Sequence, residues 1–182
     1  MATIAHVATG LAAGRLLLSN KLGPGLQSPR PLAMVILSLL SIAPDIDVVA
    51  FRLGIPYSAP FGHRGATHSL AFALMVGVLA VAAVHRRLDS SFWRTAVFSV
   101  LTIASHPLLD AMTDGGLGVA LAWPFSNARF FAPVRFIPVA PIGAALLSRR
   151  GLHVALIELV YFAPVFVYAL WPRQRQAPSE NP

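Results

Sequence analysis

An all-α, membrane-embedded helical bundle is the fold this sequence predicts, on three observations. Of its 182 residues, 56% are hydrophobic and only 12% charged, where a soluble domain carries about 45–50% and about 25%. Its apolar runs are long enough for helices and lack the every-second-residue alternation of barrel strands. Lipid tolerates only helices and closed barrels, because hydrocarbon offers no partner to an unpaired backbone N–H or C=O. About four to six helices follow, in one domain over residues 1–172, since no linker or shift in composition divides the chain.

The elements are read against the about 20 apolar residues that a helix needs to cross the hydrocarbon core. Thr3–Leu18 is a short first candidate, and a Gly- and Pro-rich connection, Lys21–Pro31, follows it. Leu32–Phe51 begins as a span but carries Pro44-Asp-Ile-Asp47 in its second half, where the proline breaks or restarts a helix. Arg52–Gly65 is again Gly- and Pro-rich, and a helix is expected from Ser69 to His85, with the Thr67 hydroxyl as a possible cap. Thr95–Met112 is the next helix. Residues 114–141 form a long irregular stretch whose aromatic and apolar content suits a lid or a membrane-contacting loop better than disorder. Phe136–Leu147 is a weak candidate helix, Leu152–Trp171 a full span interrupted only by Glu158 and Pro164, and 173–182 a polar tail.

Charge and cysteine content exclude other classes. A net charge of +7 would suit nucleic acid, but the basic residues are scattered between apolar runs, so no nucleic-acid partner is expected. They read as membrane-flanking charge, which concentrates at helix ends near anionic lipid. With no cysteine, any metal must be held by the six His, five Asp and two Glu. The first basic residue is Arg15, which is not the pattern of an export signal, so His6 is expected to stay in the mature chain.

Ionisable residues interrupt the apolar segments at His6, Asp45, Asp47, His68, His106 and Asp110, with His63 just outside. A carboxylate inside a membrane helix costs about 2.5–3.5 kcal/mol on insertion scales, so such groups face a cavity, pair, or do chemistry. Up-and-down threading brings all seven to one face and leaves Arg15, Lys21, Arg30, Arg86, Arg87 and Arg94 at the other. His106 and Asp110 are one turn apart and can chelate one ion. Asp45 and Asp47 flank Ile46, so that one can ligate while the other orients a histidine, bridges a second ion or takes a proton from water. His85 and His153 sit away from the cluster, and for Glu158 a proton path and a contact to a neighbouring helix stand as alternatives.

His6, Pro44-Asp-Ile-Asp47, His63-Arg-Gly-Ala-Thr-His-Ser69 and Ser105-His-Pro-Leu-Leu-Asp110 with Thr113 resemble the YdjM-type family of small bacterial and archaeal inner-membrane proteins, described as metal-dependent hydrolases, and the resemblance implies that activity. The resemblance spans roughly residues 1–140. That family is distantly similar to the zinc-dependent phospholipase C and single-strand nuclease superfamily. The resemblance implies zinc ligands at His6, Asp47, His68, His106 and Asp110, with Asp45 and His63 as further ligands or as supports. The soluble enzymes add a later His-x-x-x-Glu pair. Here His153 and Glu158 are spaced i,i+5, which points to one or two ions rather than three.

The expected function is a multi-pass inner-membrane hydrolase that cleaves a phosphoester of a lipid or lipid-linked substrate with a metal-activated water. Asp45 or Asp47 would serve as general base, Arg64 would grip phosphate with its fork of donors, and Arg129 and Arg135 would hold the rest of an anionic head group. The alternatives are a non-catalytic metal-binding membrane protein, either transporter or sensor, and a structural protein whose polar cluster is a hydrogen-bond network. Basic residues opposite the site favour an outward-facing site.

Overall fold

In the computed structural model, residues 3–18, 30–88 and 90–172 are described. Lys21, the side chain of Arg30 and the tail 173–182, about which the sequence raised expectations, lie outside them. The described residues form six α-helices and no strand. They are α1 (Thr3–Leu17), α2 (Arg30–Ser41), α3 (Val49–Arg52), α4 (Leu70–Val84), α5 (Phe92–Ala111) and α6 (Arg149–Leu170).

Three boundaries are set by serine caps, whose side-chain oxygens satisfy the first free backbone N–H groups of a helix. Ser69 accepts from Phe72 N and starts α4. The cap is therefore Ser69 rather than Thr67, whose hydroxyl goes instead to Asp47. Ser91 and Ser148 start α5 and α6 three residues earlier than the hydrophobic pattern suggested. After α2 the proline takes the first turn of a 3-10 helix, Ala43–Val48, which leads into α3.

Phe136–Leu147 is not a helix. Only Gly143–Leu147 forms a 3-10 turn, and Ile137 pairs with Thr113 as an isolated bridge. Pro138 and Pro141 explain the difference, since each removes an N–H that a helix would use.

α1 and α2 lie antiparallel with their backbones in contact at Gly10 and Gly14, where a Cβ would collide with the main chain of Ser38 and of Met34. This is a small-xxx-small seam that lets two helices approach closely. Gly14→Val is expected to lower the melting temperature in detergent by the equivalent of about 1–3 kcal/mol, the usual cost of overpacking. An unchanged midpoint would show that the seam opens freely.

Beyond the seam, Leu17, Leu18, Ala33, Leu37 and Leu88 form an apolar core at the end where α1 finishes. Basic side chains close that end. Arg94 donates to the carbonyls of Leu17 (2.6 Å) and Leu16 (2.9 Å), and Arg15 donates to Ala169 O (3.0 Å) and Trp171 O (2.6 Å) at the end of α6. Each supplies donors to carbonyls that a helix C-terminus leaves unpaired.

α6 is long and apolar enough to cross a membrane, and the bent pair Pro31–Ser41 and Ala43–Arg52, at 42°, makes a second crossing if taken as one. α4 is apolar but shorter.

Candidate metal centre

The polar residues gather at the end opposite the apolar core. α1 supplies His6, and the 3-10 turn supplies Asp45 and Asp47. The following loop supplies His63 and Arg64, the short turn Ala66–His68 supplies His68, and the last turns of α5 supply His106 and Asp110.

Four of these face one another. His68 Nε2 lies 3.2 Å from His106 Nε2, 3.5 Å from Asp110 Oδ2 and 3.6 Å from Asp45 Oδ1. His106 Nε2 lies 3.3 Å from Asp45 Oδ1 and 4.0 Å from Asp110 Oδ2. Donor atoms of a tetrahedral ion with bonds of about 2.0–2.1 Å are about 3.3 Å apart. The histidine separations above, 3.2–4.0 Å, are near that value, and all donor atoms of the set Asp45, His68, His106 and Asp110 lie within 4.8 Å of one another.

The hydrogen bonds around this set aim its nitrogens inward. His106 Nδ1 donates to Ser41 O (2.7 Å), and His68 Nδ1 stands 2.9 Å from Asp47 Oδ2. A ring whose Nδ1 carries the proton has its Nε2 lone pair free for a ligand bond. The two Nε2 atoms face each other across 3.2 Å, a separation that a proton on one ring bridges in the ion-free site and that a cation can bridge in its place.

Charge points the same way. Among the described residues three carboxylates, Asp45, Asp47 and Asp110, meet in this largely buried site, with Arg64 Nε 3.0 Å from Asp110 Oδ2, and carboxylates gathered out of water favour a cation. His6 adds a further sign. Fully buried, it stacks on His106 with ring centroids 3.6 Å apart, yet neither of its nitrogens makes a hydrogen bond among the described residues. Its Nε2 is 3.7 Å from Asp110 Oδ1. The donor set therefore fits a divalent metal bound by imidazole and carboxylate.

His68 titrates accordingly. Burial alone would lower its pKa, but the carboxylates of Asp110, Asp45 and Asp47 outweigh burial and push it up to about 10.

Asp47, His63 and His68 form a second set of possible ligands. Here the Asp47 oxygens already have partners: His63 Nδ1 donates to Oδ1 (2.6 Å), while Arg64 N (3.1 Å) and Thr67 Oγ1 (2.6 Å) donate to Oδ2. This geometry suits Asp47 to orienting two imidazoles and leaves Asp45 to face the ring nitrogens. His63 is wedged between Tyr57 and His68, with edge contacts at centroid distances of 5.2 and 5.4 Å.

Arg64 is 1% exposed and adopts a left-handed backbone, φ 60°, a conformation that costs a residue with a Cβ roughly 1 kcal/mol or more and occurs mainly at functional sites. Its guanidinium is tied to Asp110, Thr113 Oγ1 and Gly115 O. Arg129 donates to the carbonyls of His63, Tyr57 and Ala59, bracing the loop that carries His63. Arg135 lies exposed over the Phe131 ring. The stretch 114–141 is bound to the site as well, through Ala120 N to Arg64 O (3.0 Å) and Leu70 N to Leu121 O (3.1 Å).

Glu158, wholly buried in α6, accepts from Ala5 N (3.3 Å) in the first turn of α1. The carboxylate thus satisfies a helix N-terminus and favours its positive dipole end, beside His6. Sequence reasoning missed Tyr57 and Ser41 altogether. Neither is ionised at neutral pH or part of a ligand-spaced pair, so nothing in the sequence singled them out.

A family model described as YdjM inner membrane protein matches residues 1–175. The chain is 40% identical over 177 residues to the inner membrane protein YbcI of Escherichia coli (strain K12), covering 94% of this chain and 98% of that protein. No solved structure matches.

Proposed function

Because the chain belongs to the YdjM inner membrane protein family, we propose that it is a membrane-bound, metal-dependent hydrolase that cleaves a phosphoester of a lipid or lipid-linked substrate. The observation that carries this reading is the convergence of Asp45, His68, His106 and Asp110 on one small space, next to a cavity of about 310 Å³ lined by Asp45, Tyr57, His63 and Arg64 among others. Those four residues would hold one divalent ion, zinc by preference, with His6 beside them. When bound, such an ion lowers the pKa of water toward about 7 and polarises a phosphoryl oxygen.

The side chains divide the remaining work. Asp45, whose side chain is 28% exposed, is the carboxylate of the set most open to the cavity; with Oδ1 toward the ring nitrogens, its other oxygen would be the one placed to accept a proton from water. Asp47 holds the rings of His63 and His68 in register through Nδ1, which leaves Nε2 of His63, a residue that lines the cavity, without a bond to Asp47. Arg64 fixes Asp110 by ion pairing. Arg135, exposed on the neighbouring loop, is a cation able to meet an anionic head group.

The test is direct. Purified chain should carry about one divalent ion by elemental analysis and release phosphate or a phosphorylated head group from a phospholipid or polyprenyl phosphate. Metal-free, inactive protein after purification in zinc would remove the basis of this reading.

Zinc affinity should also depend on pH with a definite sign. Below pH 10 the site keeps a proton on His68 that the ion must displace, so affinity rises with pH, by about tenfold per unit for a one-proton exchange. Isothermal titration at pH 6, 7 and 8 checks it, and an affinity flat across that range would contradict the exchange.

A further inference from the structure

The cavity beside the metal centre has a polar floor and an apolar wall, and the two point to different parts of one ligand. Asp45, His63 and Arg64 form the floor. Val48, Val139, Ala140, Pro141, Ile142 and Leu146 form most of the wall. At about 310 Å³ the space stands at the small end of ligand pockets, which run roughly 300–1,000 Å³. A phosphoryl group and the first few methylenes of a chain fit there, and a whole lipid does not.

The rest of such a chain must leave through the rim, and the rim is apolar. Ile142 is 41% exposed, Leu146 36% and the adjoining Leu147 91%. The wall is also fixed at a membrane depth. Ala140 packs on Val154 of α6, the helix long enough to cross the bilayer. Arg149 and Arg150, both exposed at the start of that helix, mark the polar level where basic residues concentrate. Val154 lies five positions after Arg149, about 7 Å along the axis at 1.5 Å per residue. That is the boundary between head groups and acyl chains, within about 5–10 Å of the surface.

We propose that this cavity takes a single-chain anionic amphiphile directly from the bilayer, with the phosphoryl group at the polar floor beside Asp45 and His63 and the chain passing out between the 139–142 segment and Leu146. Residues 139–146 then select for a chain. The proposal deepens the hydrolase reading and rests on it for the identity of the phosphoryl group, while its binding claim can be tested without turnover.

The probe is dodecyl phosphate with a photoactivatable diazirine at the third carbon, added to the full zinc-loaded chain in detergent micelles, with labels mapped by mass spectrometry. Labelling is expected within 139–146, displaced by excess dodecyl phosphate and not by inorganic phosphate. Ala140→Phe, which fills the cavity, should lower it at least about tenfold, as side-chain atoms occupy space the ligand needs, with zinc content unchanged. If that variant loses zinc, Leu146→Ser at the exposed rim replaces it and should lower labelling as well. Labels spread evenly over the exposed faces of α4 and α6 would overturn the proposal, and so would displacement by inorganic phosphate as effective as by dodecyl phosphate. Labelling without hydrolysis of any phosphoester upholds the cavity and sinks the hydrolase. Hydrolysis of bis(4-nitrophenyl) phosphate without labelling does the reverse.

Discussion

His106→Ala is expected to strip the divalent ion from the protein and to lower phosphoester hydrolysis by at least about a thousandfold, roughly 4 kcal/mol of transition-state stabilisation. The size follows from what the ring does. Its Nε2 lies within 4.0 Å of donor atoms on His68, Asp45 and Asp110, and its Nδ1 is held by Ser41 O at 2.7 Å. Removing it takes away one of four facing donors and a contact of both Asp45 and Asp110. It also uncovers the face of His6, which stacks on it. His85→Ala is the matched control, since that ring bonds Val81 O one turn back on its own helix, far from the centre. A His106→Ala protein that keeps its metal and its rate would end the enzyme reading.

Arg64→Met carries the second large effect, on stability. The guanidinium is almost fully buried and lies 3.0 Å from Asp110 Oδ2, with further bonds to Thr113 and Gly115. Methionine has a similar length but removes one positive partner of the buried Asp110 carboxylate, a loss of up to about 3–5 kcal/mol when one partner of a buried pair is removed. The loss should be larger in the metal-free chain than in the zinc-loaded one, because a bound cation offsets part of the same negative charge. Thermal unfolding in detergent with chelator and with zinc measures both. Equal shifts in the two conditions would mean that Arg64 and the ion do not share a field, and a shift below about 1 kcal/mol would place the variant among ordinary surface changes.

Much of the site is legible in the sequence because two simple rules bring it together. Charged residues inside apolar helices need a partner or a cavity, and short connections between helices alternate their direction. Those rules bring His6, the Pro44–Asp47 segment, the His63–His68 loop and the end of α5 to one end of the bundle, and His106 and Asp110 to one side of a helix. They say nothing about roles within the cluster. Asp45 and Asp47 are two apart, and in the 3-10 turn that holds them each residue advances by about 120°. Their carboxylates diverge, and only the tertiary neighbours show Asp47 saturated with donors while Asp45 faces the imidazoles.

Arg64 and Arg129 show the same limit. Basic residues beside a phosphate site read as substrate grips, but these two spend donors on Asp110 and on loop carbonyls, because buried backbone and carboxylate groups must be satisfied before a ligand arrives. Glu158 was visible as an oddity in an apolar helix, and its partner, the Ala5 N–H of a helix 153 residues away, was not.

Composition, apolar run length and residue chemistry are local properties, and they suffice to read this chain as helical, suited to the membrane and furnished with imidazoles and carboxylates at a few positions in apolar segments. Which atoms face one another, that Arg64 lies against Asp110 and where apolar and polar linings meet belong to the folded arrangement. Those are matters of a few ångströms between segments far apart in the chain, set by backbone turns and close helix contacts that no local pattern encodes.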